Sequence, residues 1–406
     1  MLINKTYFID SCDDVELNIK RESKLEYRIT YDDEKEMKAV VFVIGGYGAN
    51  ANIHFLDSYR KFIAKKFDVV TINVFYHCFC QRKSDVERYS AEMTFLLDDI
   101  RKFEKAFKDF EIDFEILDNT INIEKYYQIL DKKLTLLKDN KLLETNYKID
   151  LSCTFVPPNN EYQNFGIMAA IDHINALKDI LNKYPQFNTL PKIYGGGSYG
   201  GYLALMCAKI APWYVDGVID NSGAALPPLK YIIGRDLNEG DAILNHDELN
   251  SRVYCYVETY WQRKNPNSPY YFADENYLIR ALLNQTHLIL QAQKNKDIVY
   301  ISYHSKKDPA TPADYKISMV EILKALNYEV DFHLIEEKDI DGKYIKDLEH
   351  GCGISDKALF NKELPNMLEK LKGKEFNIRE NSISYPCKDK VFTFKDKDDK
   401  FVLELN

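Results

Sequence analysis

The sequence predicts an α/β protein: a mostly parallel central sheet flanked by helices, with two insertions and a small β appendage at the C-terminal end. Three observations carry this. Continuous runs such as Ala39-Val40-Val41-Phe42-Val43-Ile44 are rich in β-branched and aromatic residues, as in strands buried on both faces. Helix-forming stretches alternate with these runs. A glycine-rich turn, Gly195 to Gly201, joins a short strand directly to a helix.

That turn organises the chain. Lys192 to Tyr194 follow a proline and read as a buried strand, and Tyr202 to Ile210 read as a helix that stops at Pro212. Between them lies Gly196-x-Ser198-x-Gly200. A serine held on such a turn takes a strained backbone, and its neighbours approach too closely for side chains. The pattern arises by chance about once in seven chains of this length, so its strand-turn-helix context decides. The Tyr199 backbone N–H, at the helix start, is placed to meet an oxyanion.

Composition narrows the function classes. The hydrophobic share of 45% and charged share of 29% are those of a globular protein, and a net charge of −9 argues against nucleic acid as a partner. No apolar run reaches membrane-spanning length, and Met1 to Lys5 lack the apolar core of a signal peptide, so a cytoplasmic protein without membrane partners is expected. The eight cysteines contain no Cys-x-x-Cys pair, and His77, Cys78 and Cys80 are poorly spaced for zinc. No metal or cofactor is expected.

In chain order, residues 1–80 read as the first half of the core, opening on strands at Thr6 to Lys20 and Leu25 to Tyr31. Gly45-Gly46-Tyr47-Gly48 ends the strand at 39–44, and Asn52 is a candidate N-cap for a helix from Ile53 to Lys66. Tyr47, or alternatively Gly46, is the candidate second oxyanion donor. Phe67 to Phe75 is the next strand. Residues 81–159 read as a helical insertion, with charged helices at Glu87 to Phe110 and Ile123 to Leu143, forming part of a lid or an oligomer surface. Residues 160–225 return to the core through a helix from Phe165 to about Asn182, in which His173 is structural, and a strand at Val215 to Asp220. Residues 226–296 form an aromatic lid insertion, whose Tyr254, Tyr260, Trp261 and Tyr270 are candidate contacts for a ring-shaped or acyl substrate. Residues 297–372 complete the core with strands at Asp297 to Tyr303 and Glu329 to Ile335, and residues 373–406 form the β appendage.

Asp308 follows the first of these last strands and His350 the second. A serine hydroxyl needs an imidazole to take its proton, and the imidazole needs a carboxylate to fix its tautomer and balance its charge. Ser198, Asp308 and His350 occur in the Ser…Asp…His order of α/β-hydrolases. His304 precedes the acid, which breaks that order, and reads instead as a loop or substrate contact.

Gly196-Gly197-Ser198-Tyr199-Gly200-Gly201 resembles the nucleophile elbow of the prolyl-oligopeptidase and esterase branch of the α/β-hydrolase superfamily. His304-Ser305-x-x-Asp308-x-x-x-Pro312 is similar to that branch's acid loop, with Ser305 in place of the usual glycine and the proline one residue late. His350-Gly351 resembles its histidine turn. The likeness covers residues 38–80, 160–225 and 297–372, and the branch's N-terminal propeller is absent. The whole chain also resembles a family of bacterial hydrolase-like proteins associated with flagellin glycosylation loci, which implies an acyl group on a sugar, such as a nonulosonic acid. The expected function is therefore a serine esterase acting on a small acylated compound or acylated sugar. The alternatives are an acyltransferase to a sugar, a peptidase of the oligopeptidase type, and a silent hydrolase fold serving as a binding module.

Overall fold

The computed structural model describes residues 1–47, 53–79, 90–113, 123–376 and 381–406. Gly48, the proposed N-cap Asn52, Cys80 and the start of the helix read from Glu87 lie outside the described residues.

The central sheet contains β1 (Leu2–Asp10), β2 (Lys24–Asp32), β3 (Val40–Val43), β4 (Val70–Phe75), β7 (Lys192–Gly197), β8 (Gly217–Asn221), β11 (Val299–Ser305) and β12 (Glu329–Ile335). Its eight strands run in the order β1-β2-β4-β3-β7-β8-β11-β12. β1 and β2 are antiparallel, β2 pairs antiparallel with β4, and every pairing from β4 to β12 is parallel. The opening strand is shorter than Thr6 to Lys20. After Asp10 the chain turns, and the Asp14 carboxylate accepts the Glu16 and Leu17 N–H groups at 3.1 and 3.2 Å, drawing the backbone out of the sheet.

The apolar run at 39–44 shows why the sheet has two covered faces. Val40, Phe42 and Ile44 enter one core, and Ala39, Val41 and Val43 enter the other, following the two-residue period of a strand. Helices α4 (Ile167–Lys183), α5 (Tyr199–Ile210) and α9 (Ala313–Ala325) cover the first face, and α1 (Ile53–Phe67) and α10 (Asp356–Leu371) cover the second. His173 belongs to this packing. It is buried in α4, with Nδ1 2.7 Å from the Ala169 carbonyl, and burial lowers its pKa to about 4, so the ring is neutral.

The insertions contain strands as well as helices. In the first, the helix read over Glu87 to Phe110 is confined to α2 (Leu97–Asp109), because Glu92–Thr94 pair with a distant strand as β5; α2 and α3 (Ile123–Asp139) lie between β5 and β6 (Ile149–Val156). In the second, α6 (Lys230–Leu237) precedes β9 (Ala242–Leu244) and β10 (Ser251–Val257), with α7 (Asp274–Arg280) and α8 (Gln285–Lys294) after them. The four strands make one sheet, β5-β6-β10-β9, in which β6 and β10 run parallel. Buried Asp99 of α2 ties the insertions together: it accepts Ser152 Oγ at 2.5 Å, Thr154 Oγ1 at 2.6 Å and Arg235 Nη1 at 2.9 Å. Such strands are hard to read from sequence because their partners lie about a hundred residues away, as with Cys153 opposite Cys255.

The appendage is a three-stranded antiparallel sheet, β13 (Ser382–Cys387), β14 (Lys390–Lys397) and β15 (Lys400–Leu405). Alternate residues Ile383, Tyr385 and Cys387 are buried in the first core. No described helix is long and apolar enough to cross a membrane.

Among the described glycines, the closest backbone approach lies where β3 and β7 meet. A Cβ on Gly196 would lie 1.9 Å from the Ile44 carbonyl oxygen, and one on Gly200 would lie 2.0 Å from the same atom. Gly200→Ala is expected to destabilise the fold by about 3 kcal/mol or more, since the obstacle is backbone that has no rotamer to adopt. Thermal unfolding checks this; a melting temperature within a degree or two of the parent would contradict the close approach.

Candidate active site

Every residue of the candidate triad leaves the sheet at the carboxyl end of a parallel strand, where open α/β sheets bind ligands. Ser198 follows β7, Asp308 follows β11 and His350 lies in the segment after β12. Ser198 has φ 57° and ψ −120°, a left-handed conformation that costs about 1–3 kcal/mol in a non-glycine residue. Neighbouring contacts enforce it. The Ser198 N–H donates to the Asn221 carbonyl at 2.7 Å, and the Gly197 N–H donates to the Asp356 carboxylate at 2.9 Å. Asp356 is a residue the sequence reading missed. It sits behind the turn at the start of α10, and burial pushes its carboxyl up to about 6.

His350 Nε2 lies 2.6 Å from Ser198 Oγ, and His350 Nδ1 lies 2.8 and 3.0 Å from the two Asp308 oxygens. With Asp308 accepting at Nδ1, the proton sits on that nitrogen and Nε2 faces the serine as an acceptor. Asp308 also accepts the Ala310 and Thr311 N–H groups, each at 2.9 Å, and the Thr311 hydroxyl at 2.9 Å. Burial opposes its charge, but the hydrogen bond from His350, the backbone donors and the field of His350 outweigh it, bringing the carboxyl down to about 2. The histidine turn is anchored from β8: Asn221 Nδ2 donates to the Gly351 carbonyl at 2.9 Å, and the Gly351 N–H donates to Ser222 Oγ at 3.1 Å. Ser222 is therefore an anchor for the histidine turn.

Tyr199 is the first residue of α5, so its N–H is at the helix N-terminus. Gly46 passes directly beside the serine: a Cβ there would lie 3.3 Å from the Gly197 carbonyl oxygen and 3.5 Å from Ser198 Cβ. Tyr47, next in the chain, lines the same cavity as Ser198. That cavity holds about 230 Å³, with Phe165, Tyr199, Tyr202, Tyr231 and Asp241 among its walls and Ser198 and His350 at its edge.

The other candidate contacts sit elsewhere. His304 is buried, and its Nε2 donates to the Thr311 carbonyl at 2.7 Å; it braces the acid loop and does not line the cavity. Trp261 is buried against Arg280, whose guanidinium lies 5.4 Å from the ring, and its Nε1 donates to the Asn164 carbonyl at 3.2 Å. Tyr260 packs against Tyr162 and Tyr270, with ring centroids 4.8 and 5.2 Å apart. Tyr254 opens on a separate groove beside Lys102 and Tyr256. Tyrosines spaced along one insertion face different sides of it, which composition alone does not disclose. The insertion's contributions to the cavity are instead Pro228, Tyr231 and Asp241, for which spacing carried no signal. Among the described residues, no cluster of His, Cys, Asp or Glu has the makings of a metal site.

A mostly parallel sheet whose strands follow the order 1-2-4-3-5-6-7-8, with serine, acid and histidine after the fifth, seventh and eighth strands, defines an α/β-hydrolase-fold protein. The chain belongs to a family of proteins of unknown function (DUF2920), whose model matches residues 5–405. Solved structures with a similar fold include a Pyrococcus horikoshii acylaminoacyl peptidase at 14% identity and TM-score 0.45, covering 94% of this chain and 43% of that one. A bacterial heroin esterase matches at 13% identity and TM-score 0.46, covering 92% and 85%. A Mycobacterium tuberculosis puromycin-hydrolyzing peptidase matches at 12% identity and TM-score 0.43, covering 88% and 39%. The chain thus spans less than half the length of either peptidase. Comparison with curated proteins finds no match.

The depressed Asp308 pKa has a thermodynamic consequence. Its charged form is favoured by the fold, so its stabilisation is complete above the ordinary carboxylate pKa and is lost as pH falls through about 2. The contribution is roughly 2 kcal/mol. Urea unfolding between about pH 5 and pH 2 is expected to show this loss in the parent and to lack it in Asp308→Asn; identical slopes for the two proteins would contradict it.

Proposed function

We propose that the protein is a serine esterase that cleaves an acyl ester through an acyl-enzyme. One observation carries this reading: an unbroken hydrogen-bonded chain from Ser198 through His350 to Asp308, ending on a strained turn at the edge of an aromatic cavity.

Ser198 Oγ attacks the acyl carbonyl while His350 Nε2 takes its proton. The imidazolium is stabilised by Asp308, which stays ionised because its pKa is so low. The carbonyl oxygen becomes an oxyanion and receives the Tyr199 N–H and that of Tyr47, or alternatively Gly46. Each such donor is worth about 2.7–4 kcal/mol in other enzymes. His350 then protonates the departing alcohol, and the acyl group remains on Ser198. A water, deprotonated by His350, attacks the acyl-enzyme, releasing the acid and restoring the hydroxyl.

The substrate is a small acyl ester, and a sugar is the alcohol half that the sequence resemblance favours. The aromatic walls support a compact ring or acyl group, since flat faces stack on such groups. Tyr254, Tyr260, Trp261 and Tyr270, the insertion's candidate substrate contacts, do not line the cavity and so lend no support to a sugar acceptor; hydrolysis is the reading retained.

A fluorophosphonate is expected to add once to the parent protein, by intact mass, and not to Ser198→Ala. Against an activated aryl ester, Ser198→Ala is expected to lower kcat about a million-fold and Asp308→Asn about ten-thousand-fold. An adduct that persists in Ser198→Ala would remove that serine from the nucleophile role.

A further inference from the structure

The cavity beside Ser198 contains a carboxylate that the esterase reading does not use. Asp241 comes from the second insertion, just ahead of β9, and lines the wall together with Tyr47, Tyr231, Tyr199 and Phe165. It accepts the Tyr47 hydroxyl through one oxygen and the Val257 N–H, at 2.9 Å, through the other. A carboxylate offers about four acceptor positions, so these bonds leave two.

Among the described residues, no cation forms an ion pair with Asp241. Lys230 is the basic neighbour that attracts it, but its Nζ lies over the Tyr231 ring, 4.6 Å from the centroid. Burial pushes the Asp241 carboxyl up to about 6, so near neutral pH it is a charge without an ion-pair contact in a largely aromatic cavity. The surrounding rings add to its pull on a cation. Tyr47 and Tyr231 lie 4.1 Å apart at 30°, with Tyr199 edge-on to Tyr47 at 5.6 Å and Phe165 6.3 Å from Tyr231, nearly parallel. Electron-rich ring faces around a carboxylate are the chemistry that recognises an ammonium group.

We propose that this cavity selects an ester whose acyl or alcohol half carries a positively charged ammonium group, held by Asp241 within the cage of Tyr47, Tyr231, Tyr199 and Phe165. The inference rests on the esterase reading for its place in a reaction, but the cation site is measurable without turnover. Bound there, the ammonium supplies the ion-pair contact that Asp241 lacks. It also engages Asp241 while Tyr47, whose chain neighbour Gly46 passes beside Ser198, is held by the same carboxylate.

The test compares choline with 3,3-dimethylbutan-1-ol, which has the same shape but no charge, by titration calorimetry on the full chain carrying Ser198→Ala. Choline is expected to bind at least tenfold more tightly, and adding Asp241→Asn is expected to abolish the difference. Equal affinities, a preference for the neutral alcohol, or no binding of either would overturn the proposal, and so would a choline preference that survives Asp241→Asn. The comparison in the Ser198→Ala protein alone remains decisive if the added change prevents folding. Fluorophosphonate labelling of the protein with Ser198 intact separates the two readings. Labelling without a choline preference rejects the cation site alone, and a choline preference without labelling supports the cation site while rejecting the esterase.

Discussion

The close approach of two backbones, the Ile44 carbonyl against Gly196 and Gly200, is the constraint on which the rest of the site depends. β3 and β7 are parallel neighbours, so their carboxyl ends emerge side by side. With no Cβ on either glycine, the turn after β7 folds tightly against the end of β3. Gly201 extends the same logic, since a Cβ there would lie 2.2 Å from an Asp220 oxygen. The result is a serine in a left-handed conformation at the start of a helix, beside the chain that carries Tyr47. The strain at Ser198 is held in place by the bond from its own N–H to Asn221 and the bond from the Gly197 N–H to Asp356.

From that point the histidine and its acid are built by converging loops. Asp308 is held by two backbone N–H groups, a threonine hydroxyl and His350, while His304 braces the Thr311 carbonyl from below. The histidine turn takes its bonds from Asn221 and Ser222, the same segment that receives the Ser198 N–H. β8 therefore sets the distance between nucleophile and base. The insertions act differently. Their shared sheet brings Tyr231 and Asp241 over the cavity, and the Tyr47–Asp241 bond links that insertion to the loop after β3.

Much of the core was legible because each signal was local. The apolar run at 39–44 announces a strand covered on both faces, Glu329–Ile335 has the expected bounds, and the glycine pattern around Ser198 records a steric fact in the residues themselves. The insertions were harder. Charged, amphipathic stretches declared α2 and α3, but β6 and β10 acquire their meaning only by pairing with each other. Aromatic abundance in the second insertion was visible, yet Trp261 is spent on packing beside Arg280 and Tyr254 on another groove.

By itself, the sequence determined the α/β class, the strained serine turn and the order of serine, acid and histidine, because these follow from side-chain size, periodicity and chain direction. Tertiary structure alone decided that Ser198, His350 and Asp308 touch, that His304 is a brace, that Asp356 holds the turn from behind, and that Asp241 faces the cavity. The reason is that a hydrogen bond between residues far apart in the chain depends on where whole strands and insertions pack. Short-range patterns carry no record of a carboxylate whose partners, Tyr47 and Val257, are contributed by different parts of the molecule.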